Sequence, residues 1–263
     1  MKKIALSIFV CQLLLAACQG EKDPEVVIYL IGDSTVADYS DNYDEGKDYM
    51  KTRFPITGWG QVFQALFEDQ KALLNGKVQA GNFRIVNKAR GGRSTRTFFQ
   101  EGRWRKVYDS LRTGDLVLMQ FGHNDAAEHK PLRYVNIEGY KEFLRLYVSQ
   151  TRLKEAIPVI LTPVARNYPW ENSHLQNVHG EYPAAAKEVA AEMNVLLIDL
   201  NQLSMDSFSK KSETYVTEKY FMNLPSGKYQ AYPKGKKDNT HFQPEGAEVV
   251  AKLVYEALQN LQP

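Results

Sequence analysis

Cysteine is almost absent from this chain: its 263 residues hold two, Cys11 and Cys18, and none follows residue 18. The remainder can form no internal disulfide, so its stability has to come from packing. Charge of one sign is lacking too. There are 33 basic side chains against 31 acidic ones, and without Lys2 and Lys3 the two are even at 31. A global electrostatic attraction for nucleic acid is thereby excluded. No P-loop, G-x-G-x-x-G or H-E-x-x-H occurs, and Gly32-Asp33-Ser34-Thr35-Val36 lacks the second glycine of the G-x-S-x-G nucleophile elbow. His174 and His179 lie five apart with no carboxylate at ligand spacing, so no metal site is expected and the chemistry below needs neither metal nor cofactor. There are no internal repeats or low-complexity tracts. The one long apolar run is at the start, "MKKIALSIFVCQLLLAA", where Lys2 and Lys3 precede a stretch too short to stay as a membrane span. Residues 1–17 therefore read as an export signal and stand outside the fold.

What is present is an ordinary globular composition, 43% apolar and 24% charged, enough for one α/β domain over 26–263. Val26 to Ile31 carry no charge and read as a buried strand, and "NFRIVNKA", "DLVLMQF", "IPVILTP" and "VLLIDL" read as four more. Between them fall helical patterns: "GWGQVFQALFEDQ" with Val62 and Leu66 at helical spacing, "TFFQEGRWRKVYDSL", residues 137–156, the alanine-rich "EYPAAAKEVAAEMN", and a closing helix from Pro244. Strands alternating with helices, and apolar enough to be covered on both faces, predict a three-layer α/β/α sandwich around a mainly parallel five-stranded sheet. Residues 204–237, rich in Ser, Lys and Tyr, read as a loop excursion.

Ligands of such sheets bind beyond the carboxyl ends of the strands, and four short blocks fall at that edge. Gly32-Asp33-Ser34 follows the first strand, "NKARGGRSTRTF" the second and "FGHNDAAEH" the third, while "DNTHFQPEGA" precedes the last helix. A serine after a strand is more often a helix cap, so the first block alone says little. Together the blocks supply every part of nucleophilic acyl transfer. A serine hydroxyl needs a base, the base needs a carboxylate to orient it, and the oxyanion needs N–H donors. Ser34 is the candidate nucleophile, His241 the base and Asp238 its orienting acid. The amides of Ser34 and Gly92 and the side chain of Asn124 are the candidate oxyanion hole.

These blocks, in this order, resemble the GDSL/SGNH hydrolases, whose members share Ser, Gly, Asn and His at these places; Thr35 stands where the family name has leucine. The resemblance runs from Ile28 to the C-terminus and implies the flavodoxin-like SGNH hydrolase fold. Within that superfamily "GWGQ", "GGRSTRTF", "EGRW", "FGHNDAA", "TPVARNYPW", "HGEYPAAAKEVA", "LLIDLNQLS" and "DNTHFQPEGA" are similar to the rhamnogalacturonan acetylesterases. That implies removal of acetyl groups from galacturonic acid residues of an acetylated pectic polysaccharide; the alternatives are an SGNH esterase acting on another acyl ester, such as acetyl-xylan, another acetylated glycan or a lipid, and a non-catalytic glycan-binding lipoprotein. A uronate asks for cations, and Arg90, Arg93, Arg96, Arg103, Arg105 and Lys106 surround a single Glu101 beside Gly92. Arg93 and Arg96, nearest Gly92, are the candidate carboxylate ligands, against the plainer reading of a solvated helix face. His123 is a candidate for shaping the site or for a structural hydrogen bond. Trp170, with Tyr168, is a candidate for stacking on sugar or for packing.

The signal ends in "LLAAC", which resembles the lipobox of bacterial lipoproteins and implies cleavage before Cys18 and acylation of its thiol. Gln19 in place of aspartate implies sorting to the outer membrane. Residues 18–25 would form a lipidated tether, the domain's only link to the membrane.

Overall fold

A computed structural model describes residues 25–40 and 43–262. The expected signal, Cys18 and the tether up to residue 24 lie outside the described residues. The five apolar runs form one sheet of strands β1 (Glu25–Gly32), β2 (Asn82–Asn87), β3 (Leu116–Gln120), β4 (Ile157–Leu161) and β5 (Leu196–Ile198). Their spatial order is β2-β1-β3-β4-β5, with every neighbouring pair parallel. Successive side chains of a strand point to opposite faces, so an uninterrupted apolar run requires cover on both. In β1, Val26, Ile28 and Leu30 face one layer and Val27, Tyr29 and Ile31 the other.

Six helices of six residues or more surround the sheet among the described residues: α1 (Thr95–Gln100), α2 (Arg103–Tyr108), α3 (Ile137–Leu153), α4 (Tyr182–Glu192), α5 (Leu200–Phe208) and α6 (Pro244–Asn260). Val250, Val254 and Leu258 of α6 pack on the first face with Trp59, Phe63 and Phe67. Tyr140, Leu144 and Tyr147 of α3 and Val189 of α4 cover the second. The three-layer α/β/α architecture is thus the one the strand pattern predicts.

Three expected elements differ, each for a local reason. The helix expected over 58–70 is two short 3-10 turns, Trp59–Gln61 and Gln64–Phe67. Its first amides serve the turn after β1 instead of an α-helical ladder: Trp59 donates to the Thr35 carbonyl at 2.8 Å and Gly60 to that of Val36 at 3.2 Å. The approach is close enough that a Cβ at Gly58 would stand 2.1 Å from the Ala37 carbonyl oxygen. The helix expected over 97–111 is split into α1 and α2 at Gly102, whose φ of +69° is left-handed. Finally, the 204–237 excursion contains the end of α5, a turn at Glu213–Tyr215 and a wide helical turn at Val216–Tyr220. It is anchored by buried Val216, Phe221, Met222 and Leu224.

From β1 the chain goes to β2 on one side and returns to β3 on the other. The crossovers therefore leave in opposite directions and open a crevice over the ends of β1 and β3. Ser34 follows β1, Gly92 follows β2 and Asn124 follows β3.

Candidate active site

The turn that carries Ser34 is built from its neighbours. Gly32 ends β1 beside β3, where a Cβ would lie 2.5 Å from the Gln120 carbonyl oxygen. Asp33, fully buried, then closes the turn. Its carboxylate accepts from the Thr35 amide and the Thr35 hydroxyl at 2.8 Å each, and its carbonyl accepts from the Ala37 amide at 3.1 Å. Thr35 is in turn the acceptor for the Gln120 side-chain amide at 2.7 Å, and Gln120 accepts from the Trp59 indole at 2.8 Å. This buried chain holds the turn against β3, giving the threonine at the family's leucine position a structural task. Thr35→Val keeps the side-chain volume but strands the Gln120 donor. The expected cost is about 1–3 kcal/mol in a denaturant titration; a change of only a few tenths would mean the hydroxyl contributes nothing.

Ser34 itself is half-buried. It lines a cleft of about 460 Å³ together with Gly92, His123, Asn124 and His241. Asp238 stands behind His241, its carboxylate accepting from the His241 Nδ1–H at 2.8 Å and from the backbone amides of Thr240 and His241 at 3.0 and 3.1 Å. With Nδ1 so engaged, Nε2 is the nitrogen left to take a proton. Burial opposes ionisation of Asp238, but the His241 hydrogen bond and charge, with the two amides, outweigh it. The carboxyl is held well below the usual carboxylate range.

Gly92 has φ of +80°, and neither its amide nor that of Ser34 has a hydrogen-bond partner among the described residues. The Asn124 side chain donates one hydrogen to the Arg93 carbonyl at 3.0 Å and accepts from Arg133 Nη1 at 3.0 Å, which leaves its second amide hydrogen unengaged. The next residue, Asp125, anchors this block. It is buried, takes both the amide and the hydroxyl of Thr95, at 2.9 and 2.6 Å, and the Gly122 amide at 3.2 Å. Burial pushes its carboxyl up to about 7, against the pull of those donors.

The remaining candidates are placed differently. His123 reaches the cleft but is 4% exposed, its Nδ1 lying 3.3 Å from Asp33 and its ring packed 4.4 Å from that of His179. Burial pushes this imidazole down, against the opposing pull of the Asp33 carboxylate beneath the nucleophile turn. Arg93 and Arg96 are not among the cleft-lining residues. Arg93 pairs with Glu101 at 3.0 Å and donates to the Gly91 carbonyl at 2.8 Å, while Arg96 donates to the carbonyls of Pro131 and Tyr134 at 3.0 Å each. Both fasten loops around the site. Trp170 lines a neighbouring cleft of about 860 Å³ with Tyr168, and Lys236 lines both clefts. Its indole N–H is taken by Asn167 at 3.1 Å.

Three other cations, Lys130, Arg133 and Arg166, line the Ser34 cleft. They come from loops distant in sequence from Gly92, so only the tertiary structure reveals their convergence.

Comparison with known proteins gives the family. The profile of the GDSL-like Lipase/Acylhydrolase family matches residues 30–249. The chain belongs to that family. It is a carboxylic ester hydrolase. A Bacillus subtilis (strain 168) protein, "Probable rhamnogalacturonan acetylesterase YesY", is 37% identical over 235 residues, 89% of this chain and 93% of its own length. "Rhamnogalacturonan acetylesterase RhgT" of the same strain is 34% identical over 239 residues, 90% of each chain. Among solved structures, an acetylxylan esterase from Geobacillus stearothermophilus superposes with a TM-score of 0.58 at 17% identity, covering 90% of this chain and 96% of its own. At that identity the likeness is one of fold. For this GDSL-like esterase the matched segment contains Ser34, Gly92, Asn124, Asp238 and His241.

Proposed function

We propose that this esterase removes acetyl groups from an acetylated pectic polysaccharide, foremost rhamnogalacturonan, through an acetyl-Ser34 intermediate. The observation that carries the mechanism is the Asp238–His241 hydrogen bond of 2.8 Å at the wall of the cleft that Ser34, Gly92 and Asn124 also line. In the first half-reaction the Ser34 hydroxyl attacks the acetyl carbonyl and its proton passes to His241 Nε2. The oxyanion accepts from the amides of Ser34 and Gly92 and from the second Asn124 hydrogen. Collapse breaks the bond to the sugar oxygen, which leaves with the proton from His241. In the second half-reaction a water gives a proton to His241 and attacks acetyl-Ser34; collapse breaks the bond to the serine oxygen, which takes that proton back from His241, and the acetic acid released ionises to acetate.

The substrate reading is supported by the names of the two Bacillus relatives. Its test is acetate release by the purified protein from acetylated rhamnogalacturonan and from acetylated xylan. Faster release from the pectic polymer is the expected result; preference for xylan would move the substrate and keep the chemistry. Within the same assay, Asn124→Ala is expected to lower kcat on the order of 10²–10³. A loss confined to KM would make Asn124 a substrate-positioning group instead.

The reading includes the location of the enzyme: exported, acylated on Cys18 and held at the outer membrane by that lipid, on the strength of "LLAAC" followed by Gln19. Mass spectrometry of the N-terminal peptide tests it. A mature chain without acylated Cys18 at its start would rule the anchor out.

A further inference from the structure

The residues lining the Ser34 cleft include five lysines and arginines and, among the described residues, no aspartate or glutamate. Two of the five are answered from behind the wall, Arg53 by Asp44 at 2.5 Å and Lys236 by Asp238 at 3.4 Å. Lys130, Arg133 and Arg166 have no carboxylate partner among the described residues. A chain whose acids and bases are otherwise balanced has concentrated unpaired cations on the one surface where its substrate binds.

Arg133 is the best placed of them. Its Nη1 donates to Asn124 Oδ1 at 3.0 Å, and its Nη1, Cζ and Nη2 atoms lie 3.3, 3.6 and 3.6 Å from where a Cβ on Gly92 would be. The guanidinium therefore touches both of the proposed oxyanion residues outside the nucleophile turn. Apart from the Asn124 contact, none of its N–H donors has a partner among the described residues. Arg166, which also lines the cleft, is fixed by its bonds to the Tyr168 hydroxyl at 2.9 Å and the His123 carbonyl at 3.2 Å. A fixed cation with a vacant donor edge, in a cleft with no acid among its described lining residues, matches a carboxylate.

We propose that Arg133, supported by Lys130 and Arg166, is the carboxylate-binding subsite beside the oxyanion hole, through which the enzyme recognises the ring carboxylate of the galacturonide that bears the acetyl group. The proposal rests on the acetylesterase reading above and assigns its substrate selectivity to named residues. The carboxylate engages the donor edge of Arg133 while the acetyl carbonyl enters the oxyanion hole. Arg133 also orients Asn124, so its removal has a general effect on any ester, and the substrate-specific part must be separated from it.

The experiment compares acetylated galacturonide oligomers with the same oligomers methyl-esterified at the carboxylate, a change that removes the charge and adds one methyl group. Wild type is expected to favour the free acid in kcat/KM by about 10- to 100-fold, with the gap narrowing as salt is raised. Arg133→Ala is expected to abolish most of that preference, losing activity on the free acid beyond its loss on the methyl ester. Arg133→Lys, which keeps a point charge without the fork, should retain part of it. Equal kcat/KM of wild type on the two substrates, or equal losses on both in Arg133→Ala, overturns the subsite. Binding of de-esterified oligogalacturonide to Ser34→Ala, with and without Arg133→Ala, provides a readout independent of turnover. Tight binding that depends on Arg133 supports the subsite, and binding unchanged by Arg133→Ala overturns it. Should wild type release no acetate from either substrate, the pectic substrate reading falls and the binding comparison still decides the subsite.

Discussion

Ser34→Ala is expected to lower acetate release on the order of 10⁶-fold while unfolding at the same denaturant concentration as wild type. The large kinetic effect follows from the acyl-transfer chemistry: without the hydroxyl there is nothing to form the acetyl intermediate, and the oxyanion donors and His241 are left with only water to activate. The small structural effect follows from the position. Ser34 is half-buried at the cleft wall and its hydroxyl has no hydrogen-bond partner among the described residues. The turn is held by Asp33, Thr35 and Gln120 instead. Removing one oxygen there disturbs no packed group, and changes of that kind are usually within about 0.5 kcal/mol. A variant of unchanged stability that retained more than a tenth of wild-type turnover would end the nucleophile assignment.

The second large effect is expected at Asp238, where Asp238→Asn should lower kcat by about 10⁴ with little change in KM. Asparagine can still accept from the amides of Thr240 and His241, so the loop keeps its shape. Its NH₂, however, faces His241 Nδ1 and favours the tautomer with the proton on Nε2, the nitrogen that must receive the serine proton. The substitution also has a pH signature. Because the folded-state pKa of Asp238 lies below its unfolded value, the ionised carboxylate contributes stability above the usual carboxylate range. That contribution is lost as pH falls through the depressed folded value. The stability gap between wild type and Asp238→Asn should thus be full at neutral pH and shrink on acidification, as read from unfolding curves across pH. A gap that widened toward acid, or a loss appearing in KM alone, would contradict the orienting role.

Much of this architecture is legible in the sequence because the relevant physics is local. A strand covered on both faces must be apolar without interruption, and Val26 to Ile31 are; the runs of β1, β2 and β3 end shortly before Ser34, Gly92 and Asn124. Asp238 and His241 are three residues apart, so a single turn brings carboxylate and imidazole into contact. Residues 58–70 show the limit of such reading. Val62 and Leu66 have helical spacing, but the amides of Trp59 and Gly60 bond to the nucleophile turn, a demand from elsewhere in the chain. Gly102 likewise divides one amphipathic pattern into α1 and α2.

The arginines separate the two levels most clearly. Sequence proximity to Gly92 points to Arg93 and Arg96, yet a side chain adjacent along the backbone can turn away, and these two bond to Glu101 and to the carbonyls of Gly91, Pro131 and Tyr134. Arg133 comes from another loop and lies against Gly92 in space. By itself the sequence determined the strands, their covering layers and the Asp238–His241 spacing, because burial pattern and short spacing are properties of neighbouring residues. Only the tertiary structure decided which cations face the cleft, because an electric field acts through distance in space and is indifferent to distance along the chain.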